Sequence, residues 1–270
     1  IKIMKKILTI FIITLISNFI TLDLYAGSDG TLLIKNKGED QSAEVKDCFE
    51  TVNRGIFAFN QGIDKIFFKP IAKGYRYLPK PIRSGTSNAL SNLSNVVTIP
   101  NNILQGQLKE AGINTLRFSI NTTLGIAGIF DVASYYGLEK LDKEDYGQTL
   151  GTWGVKEGCY FVLPVLGPTT VRDTLGSLAN FAGGDAWYNV TIANNTQHFE
   201  NSDYYYSRLT AGVDFRAKNL EAFSSLENNS MDLYASVRSL YLQDRKRKIL
   251  NSSETTETMN DDDWEEIDTQ

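Results

Sequence analysis

Apolar residues recur every three or four positions through most of this chain, and that period commits it to helices. Val52, Ile56, Phe59, Ile63 and Ile66 share one helical face, widened by Phe57, Phe67 and Phe68. Pro70 is expected to end or kink that helix. Ile71, Tyr75 and Leu78 predict a short second helix before Pro79-Lys80-Pro81. A third runs from about Ile82 through Leu90 and Leu93, and Pro100 precedes Ile103, Leu104 and Leu108. The period resumes from Gly112 through Ile113, Leu116, Ile120 and Leu124. Thr169 or Thr170 can cap a helix carrying Val171, Leu175, Leu178 and Ala182. Two long helices follow, from about Asp203 to Leu226 and from about Met231 to Leu250. Only Tyr160–Leu166 reads as extended, and its length fits a strand and a buried loop equally. The fold class expected is all-α.

The two ends break the pattern. Lys5 and Lys6 precede an apolar run over 7–22, and Leu24-Tyr25-Ala26 offers a cleavage site before Gly27. This reads as a secretory signal peptide over 1–26. An uncleaved anchor is the alternative, but the run is shorter than the ~20 residues that span a bilayer. No cysteine precedes Cys48, so no lipid-attachment cysteine is visible behind the run. At the other end, 251–270 holds eight acidic residues and no Lys or Arg, so a disordered acidic tail is expected. The net charge of −5 belongs to that tail. The organisation expected is a signal peptide over 1–26, a flexible segment over 27–46, one helical domain over 47–250, and the tail.

Composition narrows the chemistry. The chain has one histidine, His198, and two cysteines, Cys48 and Cys159. Their spacing matches no zinc ligand pattern. A Ser-His-Asp or Cys-His mechanism would have to use His198, in the polar stretch 193–200. Phosphate loop, dinucleotide fingerprint and His-Glu-x-x-His are all missing. A carboxylate-only hydrolase would draw on Asp142, Glu144 and Asp145, but Lys140 and Lys143 alongside them suggest a solvated loop. No cofactor, metal or covalent catalysis is expected.

Two segments carry a physical signal. From Lys65 to Lys109 every charged residue is positive (Lys65, Lys69, Lys73, Arg76, Lys80, Arg83 and Lys109), on helices rich in Phe, Tyr and Ile. Such helices lie in a bilayer interface or, more commonly, pack on a core. Nucleic acid is disfavoured by the export signal. The second segment, Leu124–Phe130, is uncharged and holds Gly125 and Gly128. These glycines serve either close helix packing or a tight turn with positive φ. Asn121 and Thr122, just before it, can cap or line a cavity.

Four ordered motifs then carry a family resemblance. Asp47-Cys48-Phe49-Glu50-Thr51-Val52-Asn53-Arg54, followed by Phe57 and Phe59-Asn60, resembles the opening motif of the MlaA (VacJ) family. Phe118–Ala133 is similar to its central motif, and Asp145–Asp173, which includes Trp153, to its longest signature. Asp232, Tyr234, Arg238, Tyr241, Gln243 and Arg245 match its closing helix. The resemblance covers about 47–246.

That resemblance implies a helical ring in the inner leaflet of the Gram-negative outer membrane, with an amphipathic channel through it. It implies removal of phospholipids mislocalised to the outer leaflet and their passage to a periplasmic lipid carrier, which keeps the membrane asymmetric. A trimeric porin is the implied companion. A porin-associated structural protein without transport is the rival reading. The helix after Thr170 repeats polar residues, so Arg172, Asp173, Ser177 and Asn180 are expected to face the channel, with Asn121 and Thr122. A solvated Arg-Asp surface pair is nearly as good a reading of the first two. Both cysteines stand where the family motifs usually have proline. Cys48 and Cys159 are expected either to pair in an oxidising periplasm or to stay as separate buried thiols.

Overall fold

A computed structural model describes residues 45–193 and 199–250, mostly helical. The signal peptide, most of the 27–46 segment, His198 and the acidic tail lie outside the described residues. Val45 and Lys46, expected in the N-terminal segment, are already tied down. Lys46 O accepts from Tyr160 N at 2.9 Å, and Val45 O accepts from Arg238.

The first helical stretch is α1 (Glu50–Ile63), a π-helical turn over Asp64–Phe68, and α2 (Lys69–Arg76). Pro70 does not end the path. The turn before it is widened, so the Lys69 N–H reaches back to Asp64 O, and Pro70 sits in the first turn of α2, where its missing N–H costs little. α3 (Lys80–Leu104) likewise runs on through Pro100, merging two segments that sequence had separated. α4 (Leu108–Thr123) packs along α3. A short α5 (Val132–Tyr135) leads to α6 (Tyr146–Thr152), whose N-terminus is capped by Asp145 accepting from Gln148 N.

Tyr160–Leu166 resolves into a hairpin. β1 (Tyr160–Leu163) pairs antiparallel with β2 (Gly167–Thr170), with Tyr160 opposite Thr170 and Leu163 opposite Gly167. Thr170 then caps α7 (Val171–Ala179), accepting from Asp173 N at 3.2 Å. α8 (Ala186–Tyr188) lies between two π-helical turns. The predicted long helix over 203–226 is two helices, α9 (Asn201–Lys218) and α10 (Leu220–Asn229), because Asn219 leaves helical geometry. α11 (Leu233–Leu250) closes the described chain.

Packing contacts close a circuit. α3 meets α9, α9 meets α2, and α1 meets β1; β2 meets α11, α11 meets α6, and α6 returns to α3. The residues inside that circuit are mostly polar. Among the described residues 21 buried side chains are polar or charged against nine buried hydrophobic ones, and four of those nine are alanines. The apolar faces read from the sequence point outward. Val52 and Phe59 on α1 and Ile66 in the π-helical turn after it are 59 %, 55 % and 67 % exposed, while Asn53 is buried. The same inversion holds along α3, where Asn92, Asn95, Thr98 and Asn102 face inward. In water such a distribution would forfeit the main driving force of folding. In lipid, polar side chains are what hold helices together. No helix among the described residues is long and apolar enough to cross a membrane.

Candidate functional site

The interior is built from asparagines at helical spacing. On α1, Asn53 and Asn60 lie two turns apart on one face, and both grip the hairpin. Asn53 Nδ2 donates to Asp47 Oδ1 (2.6 Å) and Tyr160 O (3.3 Å), and its Oδ1 accepts from Val162 N (3.0 Å). Asn60 Nδ2 donates to Leu163 O (2.9 Å), and its Oδ1 accepts from Val165 N (2.7 Å). Val165 has φ +66°, a strained value for a β-branched residue, and the Asn60 clasp holds it there. The base of the hairpin is pinned again by the Cys48–Cys159 disulfide, with Cα atoms 5.6 Å apart. Behind it, Tyr160 and Val162 pack with Tyr234, and Tyr234 donates its hydroxyl to Asp47.

The other resemblance residues stand around this corner. Arg54 makes a bidentate pair with Asp232 (2.7 and 3.1 Å), bonds Glu50 at 2.8 Å and lies 4.5 Å over the Tyr234 ring. Phe57 meets Tyr234 edge-on at 5.5 Å. Arg238 lies 5.7 Å over Tyr160 and donates to Val45 O. Trp153 is elsewhere: its Nε1 donates to Leu104 O at 2.9 Å, and its ring is exposed.

Between α3 and α4 runs a second polar seam. Asn114 Nδ2 donates to Asn102 Oδ1 (2.9 Å), Asn101 Oδ1 accepts from Thr149 Oγ1 (2.6 Å), and Asn92 Nδ2 donates to Thr122 Oγ1 (2.9 Å). Asn121 bridges Asp131 and Ala133 N, and Arg117 makes a bidentate pair with Asp131 at 2.8 and 2.9 Å. Burial acts to raise the Asp131 carboxyl, but Ser134, Asn121 and Arg117 together hold it below the ordinary range. After α4 the chain turns back through left-handed backbone at Ile126, Ala127 and Gly128. A Cβ at Gly128 would lie 2.5 Å from Asn92 Cβ, and one at Gly125 2.2 Å from Phe130 O. Gly128 therefore serves both readings, a positive-φ turn and close approach to α3, while Gly125 lets the turn fold tightly on itself.

Arg172 and Asp173 are buried inside the domain, which corrects the reading of them as a solvated surface pair. Arg172 is 2 % exposed and pairs with Glu157 (3.1 Å) and Asp173 (3.2 Å). Arg245 from α11 clamps Asp173 (2.8 and 3.0 Å) and Asp145 (2.6 and 2.9 Å), and Tyr241 donates to Asp173 at 2.6 Å. Burial would raise Asp145, but Arg245 and Gln148 outweigh it and hold its carboxyl at about 2. The reason lies in the third dimension: α11 lies against α6 and brings Arg245 over a face that sequence left open. Ser177 is exposed and donates to Asp173 O at 2.9 Å. The hydrolase cluster also comes apart. Asp145 serves Arg245 and the α6 cap. Glu144 is buried, accepts from Gln105 and is pushed up by burial, while Asp142 is solvated and Asp145 partly so, where the loop reading had all three in solvent.

Two of the cavities that border α9 lie at α8 and at the hairpin tip. One, of about 240 Å³, lies between α3, α8 and α9. Asn180, Asp185, Trp187 and Arg208 line it, with Leu93 and Val97 opposite. Asn180 Oδ1 is buried and has no hydrogen-bond partner. The second, of about 420 Å³, is walled by Phe57, Phe68, Phe215, Phe223, Leu226 and the hairpin tip at Val165 and Leu166. Its charged elements are the Arg216–Asp64 pair (2.8 Å) and Glu227, which pairs with Lys69, and Asn60 and Gln61 add amides. Sequence reasoning missed this cavity, although the Asn53/Asn60 spacing that fixes its hairpin wall was readable. Of the six residues expected to face a channel, Asn180 lines the smaller cavity. Asn121 lines a separate polar cleft with Arg117 and Lys143, and Arg172 and Asp173 line neither of these two cavities. An amphipathic cavity wall of this kind suits a molecule with a long apolar part and a polar end.

Comparisons with known proteins agree with the geometry. The sequence model of the MlaA lipoprotein family matches residues 45–248. An intermembrane phospholipid transport system lipoprotein, MlaA, of Haemophilus influenzae is 32 % identical over 246 residues, covering 86 % of this chain and 92 % of the relative. Its Escherichia coli namesake is 32 % identical over 220 residues, covering 79 % and 82 %. An uncharacterised protein of Rickettsia prowazekii is 34 % identical over 248 residues, covering 90 % and 94 %. A solved structure described as the structural basis for maintenance of bacterial outer membrane lipid asymmetry matches with a TM-score of 0.64 and 31 % identity. It covers 76 % of this chain and 99 % of its own. With its helical fold, its inward asparagines and this breadth of match, the chain belongs to the MlaA family.

Proposed function

We propose that this chain removes phospholipids from the outer leaflet of an outer membrane and passes them toward a periplasmic lipid carrier. It does so without covalent chemistry, seated in the inner leaflet beside a trimeric porin. The observation that carries this reading is the inverted distribution of side chains: a polar, hydrogen-bonded interior inside a rim of exposed Phe, Ile, Leu and Tyr. A rim of this kind is stable against acyl chains, and the helices need not span the bilayer to use it. The apolar cavity at the hairpin tip supports transient shelter for acyl chains, and the polar cavity containing Asn180 supports passage of a headgroup. The names borne by the Haemophilus and Escherichia relatives point the same way.

The test is outer-leaflet phospholipid labelling in cells lacking the chain. Surface phospholipid is expected to rise, and the wild-type chain is expected to restore it. Unchanged labelling with intact porin assembly would overturn transport. Loss of porin assembly without a rise in surface lipid would favour the structural reading.

A further inference from the structure

The corner between α2 and α3 meets the C-terminal end of α9 in a cleft of about 390 Å³. Four cations line it: Arg76, Lys80, Arg83 and Lys218. Two are already neutralised. Arg76 pairs with Glu221, and Lys218 pairs with Asp214 at 2.8 Å. Asp214, the carboxylate in the wall, also accepts from Tyr75 at 3.2 Å and pairs with neither Lys80 nor Arg83. Arg83 spends only its Nε, donating to Leu78 O at 3.0 Å. Its two terminal nitrogens and the Lys80 ammonium have no partner among the described residues. The cleft therefore presents two uncompensated positive charges, with the hydroxyls of Ser84 and Ser87 beside them.

Their position is electrostatically costly. Lys80 opens α3 and Arg83 lies in its first turn, where the aligned peptide dipoles already place positive potential. That turn has no acidic residue and no side-chain cap. Departures from local rules that nothing nearby offsets are expected where a ligand supplies the missing charge. The rim of the cleft says which kind of ligand. Tyr77, Leu78 and Ile82 stand exposed on the same corner, and Tyr77 is 90 % exposed. Basic side chains around exposed aromatic and aliphatic ones match the boundary between headgroups and acyl chains.

We propose that this cleft binds the phosphodiester of an anionic phospholipid headgroup, held by Lys80 and Arg83, while Tyr77, Leu78 and Ile82 enter the acyl boundary. This rests on the lipid-transport reading and adds a headgroup site outside the cavities at α8 and the hairpin tip. The chemistry recognised is a phosphate oxyanion, which a lipid or free phosphate could supply.

The experiment uses the full chain and its Lys80→Gln/Arg83→Gln variant. Both are floated with phosphatidylethanolamine vesicles, with and without phosphatidylglycerol, at low and high salt. The wild type is expected to bind the anionic vesicles more tightly, with salt weakening the preference. The double variant should bind them about tenfold to thirtyfold less well, from roughly one step of lipid attraction per basic residue. Lys80→Arg should bind as wild type does, and Lys156→Gln, an exposed charge outside the cleft, should change little. Both substituted residues reach solvent, so unchanged thermal unfolding of the variant separates lost binding from lost fold. Equal binding of wild type and double variant to anionic vesicles would overturn the proposal. A second arm measures the thermal shift given by inorganic phosphate alone. A shift abolished in the double variant, with vesicle binding intact, would assign the cleft to free phosphate and overturn the lipid source. Surface-lipid labelling in cells reports separately on transport. If the double variant floats normally while deletion still raises surface lipid, the headgroup site fails and the transport reading stands.

Discussion

The hairpin corner and the α3–α4 seam are both buried, yet they are held by opposite means. At the corner, aromatic rings do the packing: Tyr160, Tyr234 and Phe57 close around β1, and a disulfide and two asparagine clasps fix the strand against α1. In the seam almost no apolar side chain is buried. Asn92, Asn95, Asn101, Asn102 and Asn114 bond one another or Thr122, Thr149, Lys143 and Gln107, with Asn92 Oδ1 left buried without a partner. The corner resembles the core of a soluble domain and the seam resembles a membrane helix pair. The difference teaches that one small domain can use water-type packing where a strand must be positioned and polar side-chain bonds where the apolar side chains of its helices point outward.

Breaking the corner should cost most. Cys48 and Cys159 are 111 residues apart, so reducing their bond, or replacing both with serine, should lower stability by about 4–5 kcal/mol in the chain-entropy account. Thermal unfolding with and without reductant measures it. Replacing Arg245 by alanine takes its cation from the part-exposed Asp145 and leaves the buried Asp173 only Arg172, at about 3 kcal/mol, the low end for a broken buried pair. The same clamp sets an acid limit. Asp145 is held at about 2 against an ordinary 3.8, so its contribution is complete above pH 4 and lost as pH falls toward 2. An acid titration of wild type should show that loss, and one of Arg245→Ala should not.

The seam should give smaller effects. Gly128→Ala meets Asn92 Cβ and adopts φ +89°, which should cost about 2–3 kcal/mol by chemical denaturation. Back at the hairpin corner, Asn60→Ala removes only one of the two asparagine clasps, the one on Val165, for about 1–2 kcal/mol. With the hairpin tip released into the apolar cavity, surface phospholipid labelling in cells should also rise; unchanged labelling would detach the tip from function.

The last prediction has the opposite sign. Lys143 donates to Asn95 at 2.5 Å without a carboxylate partner. Burial first, then Lys140 and Arg117, lower its ammonium to about 8. Because the folded value lies below the unfolded one, the penalty is full below pH 8 and relieved as pH rises toward 10.5. Lys143→Met should stabilise the protein by about 1–2 kcal/mol at pH 7 and by less at pH 10. A pH-independent difference would remove the account.

Much of this was legible beforehand. The helical period placed α1, α4, α7 and α11 within a few residues, and it narrowed the α7 cap to Thr169 or Thr170, of which Thr170 accepts from a free N–H of the first turn. The site was legible less often. Arg172 and Asp173 were singled out by periodicity, but periodicity gives the face of a helix and not what covers it. Asn53 and Asn60 were noticed only through family resemblance, although their two-turn spacing was a physical signal for a shared partner.

By itself the sequence determined a helical domain with amphipathic faces, a basic early segment, and membership of a family. These are local properties, set by spacing and charge along the chain. Which face turned inward was decided by tertiary structure. The same stripe of Val52, Phe59 and Ile66 reads as core in water and as rim in lipid, and the period is identical in both. Pairing of Cys48 with Cys159, the clamp of Arg245 on two aspartates and the cavity at the hairpin tip join residues about 70 to 190 positions apart. Contacts at that separation depend on how helices cross, and no local pattern carries that information.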